Sequence, residues 1–291
     1  MNTILRSSLA VAEISSLGAE LVSFKRTDTD TEYMWSGDAA YWTGRSPVLF
    51  PIIGAARGGE IRVDGQTYKM ANHGFARRSE FTLQEASDTQ AVFRLSHNET
   101  TLAIYPYKFN LFLTYILSGC QLEISYRVEN TDDQDISFQL GTHPAFNCPI
   151  GGDGEFSDYY LEFEQKESLD RLFLNSTGQL IGGKSTPMLG DSNIMPLAHA
   201  MFLEDALVFR NVKSQNVTLK SKLSDKSVSV AYHNFPDLGI WQPKNAPFLC
   251  IEPWHGVAEG EDFTGSLQEK EGAISLPPGG QSTSSLSITF G

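Results

Sequence analysis

The stretch "LEISYRV" (122–128) decides the predicted fold. Its apolar residues alternate strictly with polar ones, which is the pattern of a strand with one face buried and the other in water. The alternation recurs at 217–220 and 286–290, and further short apolar runs are separated by Gly, Asn, Asp and Pro clusters. Because no long helical period and no βαβ rhythm competes with these strands, the sequence predicts an all-β protein, a large antiparallel β-sandwich.

The chain has no low-complexity linker and no internal repeat. Its Gly-rich pieces at 151–155 and 277–285 are short enough to be hairpin loops rather than domain joints. We therefore expect a single domain covering residues 1–291.

The charge balance narrows the class of partner. The chain has 22 Lys and Arg residues and 35 Asp and Glu residues, which gives a formal net charge of −13. A negative charge of this size repels nucleic acid and anionic membrane surfaces. We expect a small molecule as the partner, with no nucleic acid and no membrane. The oligomeric state stays open, with a homodimer among the options.

Three cysteines without a CxxC pair, at 120, 148 and 250, indicate reduced thiols, and together with the absence of an 18-residue apolar run they predict a cytoplasmic protein. The six histidines show no HxH, HxxxH or HExxH spacing, so no metal is expected. The chain also lacks GxGxxG, GxxxxGK[ST] and GxSxG, so no nucleotide cofactor and no serine nucleophile are expected.

Two ionisable residues end apolar strands beside a proline. His143 precedes Pro144, which pushes the histidine into extended backbone and interrupts the hydrogen-bonded ladder. Glu252 follows "FLCI" and precedes Pro253 and Trp254, so burial should raise its proton affinity. Each residue alone has an ordinary explanation, as a turn histidine or a solvated strand-end acid. Together with the nearby aromatic residues they indicate a carbohydrate pocket.

Three phrases carry a family resemblance in this order: "HGFAR" (73–77), "HPAF" (143–146) and "IEPW" (251–254). With "YWTGRSPVLFPIIG" (41–54), they make the chain similar to the aldose 1-epimerase (galactose mutarotase) family, and most closely to its LacX-like branch. The resemblance implies a β-supersandwich and a cofactor-free isomerase that interconverts the α and β anomers of an aldohexose. It also implies that Glu252 is the general base at the O1 hydroxyl and His143 the general acid at the ring oxygen O5.

The resemblance further implies a set of substrate-binding residues. His73 would orient the sugar, and Trp241 and Trp254 would stack on it. The polar groups of the sugar would contact Arg45, Arg77 and Asp205. The segment "GAARGG" (54–59) departs from the "NRI" of the main galactose mutarotases, so galactose is not implied as the substrate.

Three alternatives stay open. A hexose-6-phosphate mutarotase would share the "HGFAR" and "EPW" phrases, and a non-catalytic sugar-binding or regulatory protein would use the same pocket without turnover. A glycoside hydrolase would require a second catalytic carboxylate near Glu252.

Overall fold

The computed structural model describes residues 2–291, and these form 22 strands, one short α-helix and several 3₁₀ turns. None of the described helices is long and apolar enough to span a membrane. The helix is α1 (Glu99–Leu102), and the 3₁₀ turns are Arg57–Gly59, Ala76–Arg78, Ile150–Gly152, Phe156–Asp158, His199–Phe202 and Leu267–Glu269. The strands are β1 (Asn2–Arg6), β2 (Ala10–Ser15), β3 (Leu21–Arg26), β4 (Val48–Leu49), β5 (Glu60–Val63), β6 (Gln66–Lys69), β7 (Thr82–Ala86), β8 (Gln90–Ser96), β9 (Phe109–Ser118), β10 (Gln121–Asn130), β11 (Ile136–Phe138), β12 (Leu140–Thr142), β13 (Ala145–Asn147), β14 (Tyr159–Leu174), β15 (Leu180–Pro196), β16 (Leu207–Phe209), β17 (Asn216–Ser221), β18 (Ser227–His233), β19 (Asp237–Trp241), β20 (Phe248–His255), β21 (Ile274–Leu276) and β22 (Gln281–Phe290).

Fifteen strands form one continuous antiparallel sheet. Its order is β4-β12-β20-β19-β16-β14-β17-β18-β22-β10-β9-β8-β7, with β13 also pairing with β20 and β15 with β14. Three smaller sheets comprise β1-β2-β3, β11-β21 and β5-β6. The prediction of a large antiparallel all-β fold is therefore confirmed.

The stretch at 122–128 lies within β10, which pairs with β9 on one side and β22 on the other. Its four apolar side chains are at most 3 % exposed, as the alternation predicts. Each fully buried side chain of this kind contributes about 1.5–3 kcal/mol relative to an exposed one, so slipping the strand by one residue would move the whole apolar set into water.

The long sheet folds back over one core. Phe50, next to β4 at one end of the strand order, packs against Phe109 of β9, near the other end, with ring centroids 5.1 Å apart. A flat sheet would hold these strands far apart, because neighbouring strands are spaced about 4.8 Å. The two halves therefore face each other as a sandwich around the main apolar cluster.

Candidate active site

His143 and Glu252 are brought together by strand register. β12 and β13 both pair with β20, and the register is the same before and after the break between them. His143 lies in that break and therefore opposite Glu252. Pro144 has no N–H to donate, but its carbonyl accepts a hydrogen bond from the Ile251 amide at 3.2 Å, which keeps the strands aligned across the break.

The two side chains form the floor of the site, a name used below for His143 and Glu252 alone. His143 Nε2 lies 3.3 Å from Glu252 Oε2, and the residues are 6 % and 1 % exposed. Among the described residues, neither His143 Nδ1 nor Glu252 Oε2 has a hydrogen-bond partner. Buried polar atoms rarely stay unpaired, so both are available to a bound molecule.

Burial sets the protonation of the floor. It raises the pKa of Glu252 well above its usual range; nearby Asp205 adds to this rise and Arg77 opposes it. It lowers the pKa of His143 well below the usual range, with further contributions from His73 and Arg77. Burial therefore favours the uncharged form of both side chains in the free protein, with the carboxyl proton on Glu252.

His73 presents a hydrogen-bond donor to the same space. Its Nδ1 accepts from the Gly54 amide at 3.1 Å, which assigns the ring proton to Nε2. Burial lowers the pKa of His73 to about 3, so the ring is neutral. Its backbone has a φ of 62°, and the next residue must be Gly74, because a Cβ there would lie 2.1 Å from the Phe50 carbonyl oxygen.

Tryptophans enclose the floor. Trp42 stacks on the His143 ring at 4.7 Å between centroids, and Trp241 meets the same ring edge-on at 5.5 Å. Trp254 covers Gly239, the partner of Glu252 on β19, where a Cβ would come within 2.5 Å of the indole. Because His143 Nδ1 has no hydrogen-bond partner among the described residues, these rings help to orient the imidazole.

A cavity of about 340 Å³ opens above the floor, within the usual size range of small-molecule sites. Every predicted site residue except Arg45 lines it: His73, Arg77, His143, Asp205, Trp241, Glu252 and Trp254. The structure thus brings together side chains that lie up to 181 positions apart in the sequence.

Arg45 lies outside this cavity. Its Nε donates to the Ser36 carbonyl at 2.8 Å, which directs the guanidinium along its own loop. Arg57, the arginine of the "GAARGG" segment (54–59), is also absent from the lining. Its backbone amide donates to the Glu259 carboxylate at 2.7 Å. Arg77 is therefore the one arginine or lysine among the described lining residues, and its guanidinium carbon lies 6.0 Å from the Trp42 ring centre.

Asp205 both caps its turn and faces the cavity. Its Oδ1 accepts from the Ala206 amide at 2.9 Å, and its backbone has a φ of 71°. Two further lining residues, Trp42 and Asn72, were not predicted. Both lie in the family phrases or directly beside them, at "YWTGR" and "NHGFAR", but only the folded chain shows that Trp42 covers His143.

The donor atoms of His143, Cys250 and Glu252 lie within 4.8 Å of one another, so these three side chains could hold a metal ion. Cys250 and Glu252 alternate on β20 and share a face. Burial raises the pKa of the Cys250 thiol well above its usual range, so this sulfur is a neutral thiol rather than a ready ligand. The chemistry that the site supports directly is proton transfer between the floor and a bound hydroxyl group.

Comparison with known proteins identifies the family. The sequence model described as aldose 1-epimerase matches residues 3–289. The chain belongs to that family. The chromosomal and plasmid LacX proteins of Lactococcus lactis subsp. lactis are each 33 % identical to it over 300 aligned residues, covering 98 % of both chains.

Two solved structures share the fold of this aldose 1-epimerase family member. A galactose mutarotase related enzyme from Lactobacillus acidophilus superposes with a TM-score of 0.95 at 32 % identity, covering 100 % of this chain and 97 % of the other. A galactose mutarotase-like protein from Lactobacillus casei gives a TM-score of 0.91 at 31 % identity, with 100 % of both chains covered. The predicted family and fold are confirmed, and membership supports a general mutarotase function of the isomerase class.

Proposed function

We propose that the protein interconverts the α and β anomers of an uncharged aldohexose, with Glu252 and His143 exchanging protons with the sugar. The single observation that carries this proposal is the 3.3 Å approach of His143 Nε2 to Glu252 Oε2 on the floor of a cavity of about 340 Å³. A pyranose in this cavity can contact both groups with neighbouring atoms, since the anomeric hydroxyl and the ring oxygen are bonded to the same carbon.

The proposed reaction begins with one proton moving from Glu252 to His143. This gives a carboxylate and an imidazolium without changing the net charge of the floor. The carboxylate then takes the proton from the O1 hydroxyl, the C1–O5 bond breaks as the C1=O1 bond forms, and the imidazolium protonates O5. Rotation about C1–C2 exposes the other face of the aldehyde, and the reverse steps close the ring as the opposite anomer.

The protonation states favoured in the free protein match those of the ring-opened intermediate. After ring opening, Glu252 is protonated and His143 is neutral, which is the state that burial favours. The desolvated floor therefore stabilises the ring-opened intermediate relative to the charged pair. His73 Nε2–H and the Arg77 guanidinium supply donors to the sugar oxygens, and the indoles of Trp241 and Trp254 supply apolar surface to the ring.

The charges around the cavity favour an uncharged sugar over a sugar phosphate. Arg77 is the one permanent cation of the described lining, and the carboxyl groups of Asp205 and Glu252 share that lining. A dianionic phosphate would meet one guanidinium and lie near these carboxyl groups, whereas phosphate sites generally use several cations or backbone amides.

Polarimetry of freshly dissolved α-glucose, α-galactose and α-glucose 6-phosphate tests the proposal. We expect the wild-type protein to accelerate anomer exchange of an uncharged aldose, and Glu252→Gln to lose about 100- to 10,000-fold in kcat, the usual contribution of a general base. Calorimetric titration of the same sugars supplies the control for binding. Sugar binding without any acceleration would favour the non-catalytic alternative, and acceleration of the phosphate ester alone would contradict the proposed substrate class.

A further inference from the structure

Arg171, a residue of β14 outside every family phrase, holds the loop that carries Asp205. Its Nη1 donates to the Met201 carbonyl at 3.2 Å, and its Nη2 donates to the carbonyls of Glu204 at 2.6 Å and Asp205 at 3.2 Å. The residue is only 7 % exposed. We call residues 201–205 the loop wall, because the side chain of the last residue, Asp205, lines the cavity.

The hairpin β14–β15 contacts the loop wall through both strands. The guanidinium carbon of Arg171 lies 4.5 Å from the ring centre of Phe173, and Lys184 Nζ of β15 lies 4.2 Å from the same ring. Lys184 also approaches Glu204 Oε1 at 3.8 Å. Cation–π attraction stabilises both cations beside Phe173, so each strand of the hairpin contributes a cation that contacts the loop wall.

The loop wall needs this external support. Asp205 has a left-handed backbone with a φ of 71°, a conformation that most residues other than glycine avoid and that Asp adopts more readily than most. The loop wall begins within the 3₁₀ turn His199–Phe202 and continues beyond it, and the last carbonyls of such a turn lack partners inside it. One buried guanidinium satisfies three carbonyls of this segment, a fit that a lysine cannot reproduce because its ammonium is a compact point charge.

We propose that Arg171 is a positioning residue that fixes the loop wall so that the Asp205 carboxylate faces the bound sugar, and that it thereby raises the affinity for that sugar. The proposal rests on the proposed function for the identity of the ligand as a sugar. Arg171 does not reach the floor: its contacts are with the loop wall and Phe173. Its loss should therefore weaken sugar binding and leave the proton-transfer step in place.

A double-mutant cycle of Arg171→Met and Asp205→Asn tests this inference. Each variant is expected to raise KM and the calorimetric Kd for the preferred aldose about 10- to 100-fold, the usual effect of one charge-assisted hydrogen bond, while kcat changes less than about three-fold. If Arg171 acts through Asp205, the double variant binds the sugar about as weakly as Asp205→Asn alone. Arg171→Lys should recover part of the affinity.

Arg62 provides a matched control, since its Nε donates to the Gly265 carbonyl at 2.8 Å, its guanidinium contacts Phe263, and none of these residues lines the cavity. Arg62→Met should leave KM and Kd unchanged. Additive losses in the cycle, or an equal loss in Arg62→Met, would overturn the inference.

The test also covers a variant that does not fold and a wild-type protein that binds sugar without turnover. If Arg171→Met does not give folded protein, the same cycle with Arg171→Gln applies the same criterion. If the wild-type protein binds sugar without turnover, the cycle measured on Kd alone still decides the role of Arg171, while the proposed reaction fails.

Discussion

The floor and the loop wall of the cavity are held by different forces. Backbone pairing on β20 fixes the floor, because His143 and Glu252 face each other through the register of strands on either side of a proline break. Side-chain contacts hold the loop wall, where Arg171 binds three carbonyls next to a left-handed Asp205. The floor cannot shift without breaking the sheet, whereas the loop wall can be adjusted by single side chains. We infer that the sheet positions the proposed proton-transfer pair, whereas the loop wall positions a proposed sugar-binding carboxylate.

The largest expected effect separates these two regions by their kinetic signature. His143→Gln should lower kcat about 100- to 10,000-fold, because it removes the proposed general acid, and should change KM less than about three-fold. Asp205→Asn should show the opposite pattern. Steady-state polarimetry with the preferred aldose measures both constants. A His143→Gln variant with altered KM and unchanged kcat would contradict the proposal that the floor determines kcat and the loop wall determines KM.

A smaller effect is expected where an aromatic side chain supports the floor. Trp42→Ala removes the ring stacked on His143, and such a ring pair contributes about 0.5–1.5 kcal/mol, so kcat should fall about 3- to 10-fold. Tyr41→Ala is the matched control, because Tyr41 belongs to the same loop but is 43 % exposed and contacts Trp35 instead. Equal losses in both variants would show that the loop, rather than the stacked ring, matters to His143.

The smallest expected effect is in the pH profile. An exposed pair with a carboxylate and an imidazolium as its working form would lose activity as pH rises through about 6.5, the usual pKa of histidine. Here burial raises the pKa of Glu252, which favours keeping the shared proton on the floor as the pH rises, and it lowers the pKa of His143, which disfavours a second protonation as the pH falls.

The value of kcat/KM should therefore change less than about two-fold between about pH 6 and pH 7, on either side of the usual histidine pKa. The ratio measured by polarimetry in buffers of constant ionic strength checks this. An inflection near the ordinary histidine pKa would mean that His143 titrates as a solvated group, contrary to its burial.

Most of the fold and part of the site could be predicted from local sequence patterns. The alternation in "LEISYRV" and the His143–Pro144 pair act over a few residues, where backbone and burial preferences are strong. Arg45 shows the limit of this reasoning: it stands in a family phrase, yet its guanidinium donates to Ser36 and not into the cavity. Trp42 and Asn72 lie in or beside the family phrases, but nothing in the sequence shows that they line the cavity, and Arg171 lies outside those phrases.

Period-two hydrophobicity and the placement of Pro and Gly were enough to specify strands, their buried faces and the extended backbone at 143, because these preferences arise within a few neighbouring residues. The pairing of His143 with Glu252, the stacking of Trp42 and the hold of Arg171 on the loop wall depend on which distant strands meet and in what register. Folding alone decides those contacts, since the free energy that selects them comes from burying the whole sandwich core and not from any one segment.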